Sequence, residues 1–153
     1  MKKSQRMHTV NTLAERKEQE QAKRFAKSQK HFDHQQKKYT ELKQYYREYA
    51  DASQNQTSQN LDIHRLQETR QFMSKLAKAV AQQAEAVERA EANVVTERQH
   101  WLDSRCRAMS LEKLTDRYRE QEAKQLNTEE QRQADDLSSQ RFVWSARQST
   151  DMA

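Results

Sequence analysis

KYTELKQYYREYA (residues 38–50), DASQNQTSQN (51–60) and LQETRQFMSKLAKAV (66–80) decide the fold of this chain. The two outer stretches carry aromatic and aliphatic side chains at helical spacing, whereas the middle one has no apolar side chain larger than alanine. Helix, polar turn and helix in that order predict the tip of an antiparallel helical hairpin.

Working outward, the same period extends in both directions. Upstream, Phe25, Phe32, Tyr39 and Tyr46 recur every seven residues, with Ser28, Gln35, Leu42 and Tyr49 in a companion row. Carried back, the frame passes through Glu18 and Asn11 in one row and Gln21, Ala14 and Met7 in the other, while Val10 and Leu13 lie off it. Downstream, one row is Leu66, Met73, Val80, Val87, Val94, Trp101 and Ala108. Its companion is Thr69, Leu76, Gln83, Ala90, Glu97, Ser104 and Leu111. The pattern weakens after Leu114 and Tyr118, and from Gln121 the chain is mostly Gln, Glu, Arg and Ser up to Phe142-Val143-Trp144. These spacings predict a single extended hairpin: helix one over residues 5–50, a turn over 51–60, helix two over 61–140, then a frayed tail. Ser58 or Asn60 is expected to cap helix two, with Asp62 near its positive end.

Closing the hairpin so that Tyr49 meets Leu66, Leu42 meets Met73, Tyr39 meets Leu76, Phe25 meets Ala90 and Ala14 meets Trp101 sets row against row. Large residues then face small ones, as interdigitated packing requires. In this register helix one ends opposite Ala108 and the C-terminal helix overhangs. Glu18, Gln21, Gln35, Gln83 and Glu97 occupy seam positions, so the coil is expected to be marginal alone and firmer with a partner.

Composition agrees with an extended all-α, two-helix antiparallel coiled-coil hairpin. The 153 residues include no glycine and no proline, which most turns require. Hydrophobic residues make up 33%, too few for a compact core but enough for a narrow helical seam. The net charge of +5 is uneven, with 13 Lys/Arg against 6 Asp/Glu in residues 1–50 and near balance beyond. A basic first helix suits nucleic acid, anionic lipid or an acidic protein surface, and charge alone does not choose among them. A lone cysteine, Cys106, excludes an internal disulfide and fits a reducing compartment. The opening MKKSQRMHTVNT has no apolar run behind its basic residues, so neither a secretory signal nor a membrane span is expected, and the protein is expected to be soluble and cytoplasmic.

Catalytic chemistry finds no foothold. A phosphate-cradling glycine loop is ruled out by the absence of glycine. His31 and His34 offer a metal two ligands on one face without a third. Cys106 lies between Arg105 and Arg107 but has no histidine partner in prospect. The chain is therefore expected to be no enzyme and to use no cofactor or metal.

Tyr45 and Phe72 each sit one position before a seam row, and the register above makes them neighbours, with Lys38 and Ala79 the next such pair. An aromatic pair beside an aromatic seam widens the apolar stripe beyond what two helices cover, which marks an interface. The bland alternative is that the pair merely shields the tip.

Leu42, Tyr45 and Tyr49, the polar turn, then Phe72, Leu76 and Ala79 resemble the FliJ family of flagellar type III export proteins. The resemblance spans nearly the whole chain through its length, its lack of glycine and proline, its short-then-long helix order and its polar end. It implies a stalk-like two-helix coil whose open end enters a hexameric export ATPase ring and whose tip docks on the linker of the membrane export gate. By that match Leu42, Tyr45, Tyr49, Phe72, Leu76 and Ala79 form the gate-binding patch, flanked by Lys38 and Gln83. Met7, Val10, Leu13 and Ala14 with Trp101, Met109 and Leu111 take the ring-entering end by position only. Family members are also described as escorts of export chaperones. The resemblance further implies a monomer at the cytoplasmic face of the inner membrane. The tail at Phe142, Val143 and Trp144 is more apolar than the family pattern.

Three rivals remain at this point. One is the equivalent stalk of a virulence type III system, and another is a homodimeric coiled-coil or membrane scaffold. The third is a nucleic-acid binder, but the basic residues of helix one read as spread around it and interrupted by Glu15, Glu18, Glu20, Glu41 and Glu48.

Overall fold

A computed structural model describes residues 1–57 and 62–152. These form two helices, α1 (Lys3–Thr57) and α2 (Ile63–Asp151), packed as an all-α hairpin with no strand among the described residues.

Both helices outrun their expected ends. α1 continues through residues 51–57, the first part of the expected turn. With no glycine or proline among residues 51–57, nothing there stops the helix. The proposed caps Ser58 and Asn60 lie outside the described residues. The backbone N–H of Leu66 donates to the carbonyl of Asp62 at 3.2 Å, so Asp62 itself stands at the start of α2. At the other end α2 runs on to Asp151, so the tail expected to fray beyond residue 140 is helical. Every residue from Ala123 to Met152 is exposed.

The helices contribute to two compact bodies. One comprises Lys17–Arg105. Its burial follows the two expected rows on each helix: Ser28, Leu76 and Ala90 are buried, while Phe25, Phe32, Tyr39, Tyr46, Val80, Val87 and Val94 are half-buried. Trp101 lies flat on Phe25, with ring centroids 5.7 Å apart and planes 4° from parallel. Its indole Nε1 donates to Glu18 Oε1 at 3.1 Å. Nearer the bend, Gln83 Nε2 donates to both the carbonyl and Oε1 of Gln35, at 2.9 and 2.8 Å.

The other body comprises Met1–Arg16 and Cys106–Ala153. Here the seam is polar. Asn11 Nδ2 donates to Thr115 Oγ1 at 2.8 Å, and that hydroxyl donates in turn to the carbonyl of Leu111. Thr115, 2% exposed, is the most deeply buried side chain among the described residues. Ser4 donates its backbone N–H and its hydroxyl to the Glu122 carboxylate at 3.1 and 2.6 Å. The ammonium of Lys3 stands over the Tyr118 ring. Thr115, Tyr118 and Glu122 thus prolong the rows that fade to the eye after Leu114.

These contacts correct the register. Trp101, expected on Ala14, rests against Glu18 and Phe25, and Phe25 takes Trp101 in place of Ala90. Tyr49 meets Phe72 rather than Leu66. Gln83 reaches Gln35 where the expected pairing leads to Phe32. Asn11 reaches Thr115 where it leads to Ser104. α1 also stays paired as far as Glu122, beyond the expected limit at Ala108. The displacement centres on about one heptad, which leaves the facing rows unchanged, so matching rows alone does not distinguish the two registers.

Candidate docking site

Beside the bend, Tyr45, Tyr49 and Phe72 form one connected aromatic group. Tyr49 and Phe72 approach to 4.6 Å between centroids, with planes tilted by 45°. Tyr45 lies 6.4 Å from Tyr49 one turn earlier. Such tilted geometries suit the ring quadrupoles. All three remain open to solvent, at 52%, 37% and 40% for Tyr45, Tyr49 and Phe72. The cluster forms because Tyr49 belongs to a seam row while Tyr45 and Phe72 stand one position outside it, so the seam spills onto the surface.

The other expected members of the patch differ in exposure. Leu76 is 8% exposed, and Leu42 and Ala79 are half-buried. Lys38 is exposed and Gln83 is committed across the seam to Gln35. Three aromatic side chains are thus open to solvent together, and exposed Lys38 lies one heptad before Tyr45 on the same helix. Lys43 stands over the Tyr39 ring at 4.7 Å and adds a second cation close by.

The residues expected at the ring-entering end divide between the two bodies. Val10, Leu13 and Met109 are exposed, Met7 and Leu111 are half-buried, and Ala14 is buried in the seam. Trp101 belongs to the body that holds the aromatic cluster and is engaged by Phe25, Glu18 and the Arg105 guanidinium. Leu126, Leu137, Phe142, Val143 and Trp144 are exposed on the last turns of α2. Sequence reasoning missed the clasp of Ser4 on Glu122, since neither residue is apolar and hydrophobic spacing cannot find them.

Cys106 is an exposed free thiol. Among the described residues no three His, Cys, Asp or Glu side chains gather as a metal would need, and no helix is long and apolar enough to cross a membrane.

The family model described as "Flagellar FliJ protein" matches residues 2–147. No curated protein and no solved structure matches the chain.

Proposed function

The chain belongs to the flagellar FliJ protein family, and on that premise we propose that it is the stalk of the hexameric flagellar export ATPase, linking that ring to the membrane export gate. The family itself carries the coarser statement, a non-catalytic component of flagellar protein export. In the finer reading Tyr45, Tyr49 and Phe72 dock on the linker of the gate's cytoplasmic domain, with Leu42, Leu76 and Ala79 as their base. Met7, Val10, Leu13, Ala14, Met109, Leu111 and Trp101 serve contact with the ring, which the protein helps to assemble and activate. It works as a monomer, peripheral to the cytoplasmic face of the inner membrane, and escorts export chaperones in passing. The family match supports a flagellar role over a virulence-type one.

The observation that carries this reading is the exposed aromatic cluster on a chain of this family. Aromatic residues are the side chains most often found to anchor interfaces, because they bury a large area with little loss of conformational freedom. Immobilised full-length protein is expected to retain both the purified export ATPase and the gate's cytoplasmic domain. The double variant Tyr45→Asp with Phe72→Asp should lose the gate domain and keep the ATPase, with an unchanged circular dichroism spectrum. Unaltered gate retention overturns the assignment of the cluster. Unaltered ATPase turnover on adding the wild-type protein overturns the stalk role.

A further inference from the structure

The basic residues of α1 that look scattered along the sequence fall, in the folded helix, into a repeat. Lys23-Arg24, Lys30-His31 and Lys37-Lys38 are adjacent pairs spaced seven residues apart, and all six side chains are exposed. Each pair occupies the same two positions of the heptad, the second lying immediately before the row of Phe25, Phe32 and Tyr39. In an antiparallel coil this edge lies beside the equivalent edge of α2. There the residues preceding Val80, Val87 and Val94 are Ala79, Ala86 and Asn93, none of them acidic. None of the six is within ion-pair distance of a carboxylate among the described residues, where the ion pairs are His64 with Glu68 and Arg119 with Asp116.

We propose that this edge of α1, Lys23 to Lys38, is a docking track for an acidic α-helix of a partner protein, laid alongside the coil as a third strand. Period and width decide the class of partner. The pairs recur about every 10 Å along the helix axis, the rise of seven helical residues. A second helix with acidic residues once per heptad matches that interval over the whole track. Duplex phosphates recur about every 3.4 Å on each strand and have no such match. A flat anionic membrane, extending past the track, would also meet Glu20 and Glu41, exposed on the same face one turn beyond either end of it, and Asp33 beside Lys30 and Lys37. The next step of the repeat is Gln44-Tyr45, where charge gives way to the aromatic cluster. The track stands independently of which export component binds that cluster.

The test uses the full-length protein and two synthetic helical peptides of identical composition. One carries a Glu-Glu pair in every heptad over four heptads, and the other carries the same pairs at irregular intervals. By fluorescence anisotropy the periodic peptide is expected to bind at least about tenfold tighter, with the difference shrinking at high salt. Neutralising the track with Lys23→Gln, Lys30→Gln and Lys37→Gln should abolish that preference. Neutralising Lys75, Lys113 and Lys124 instead should leave it intact, and circular dichroism checks that both variants stay helical. Equal binding of the two peptides overturns the proposal. So does tighter binding of duplex DNA, or of phosphatidylglycerol vesicles, than of the periodic peptide.

Discussion

Gln83 makes the most specific contact of the seam, since one amide nitrogen satisfies two oxygens of Gln35 on the facing helix. A polar pair of this kind costs stability relative to leucine but fixes alignment. Gln35→Leu with Gln83→Leu should raise the melting temperature and loosen the alignment, and distances between spin labels on the two helices should then show a second population. Gln21 and Glu97 both lie two heptads farther from the bend than that pair, one on each helix, and each leaves a buried oxygen, Oε1 and Oε2 respectively, without a hydrogen-bond partner. An unsatisfied buried polar atom costs about 1–3 kcal/mol. Gln21→Leu with Glu97→Leu is therefore expected to stabilise the protein by about 2 kcal/mol, measured by urea denaturation. An unchanged or lower midpoint would show that these oxygens are already satisfied in solution.

Along α1, the first turn depends on a side chain from the other helix. Ser4 lies among the opening residues, whose N–H groups have no intrahelical acceptor, and Glu122 accepts both its backbone N–H and its hydroxyl proton. The Ser4 hydroxyl first, and its backbone N–H second, hold the Glu122 carboxyl below the usual carboxylate range. A lowered folded value means that the clasp contributes fully above the unfolded carboxylate pKa of about 4.3 and fades as pH falls through the folded one. Amide exchange in the first turn of α1 should accelerate on acidification below about pH 4, and Ser4→Ala should remove that pH dependence. The helices themselves were legible in the sequence because apolar residues mark their seam from Phe25 to Trp101. The heptad-displaced register and the pairing of Ser4, Asn11, Thr115 and Glu122 were not, because polar residues leave no hydrophobic trace and a repeat of seven looks the same after a shift of seven. Tyr45 and Phe72 were found as an outlying pair, but the bridging place of Tyr49 needed the folded geometry.

Over the whole chain, the cross-helix hydrogen bonds described above reach as far as Glu122, and every residue from 123 to 152 is exposed. Truncation after residue 125 should leave the melting temperature within about 2 °C of the full-length value, since exposed substitutions rarely move stability by more than about 0.5 kcal/mol. A larger fall would mean that Leu126, Leu137 or Trp144 finds a partner in solution. Gln35 and Gln83 are 48 positions apart, whereas Ser4 and Glu122 are separated by 118. On the ribosome this ordering has a cost in time: Ser4 is made 118 residues before Glu122 and must wait for it before it can be clasped. A nascent chain can zip from the bend outward, yet the first turn of α1 stays open to proteases and chaperones until Glu122 has emerged.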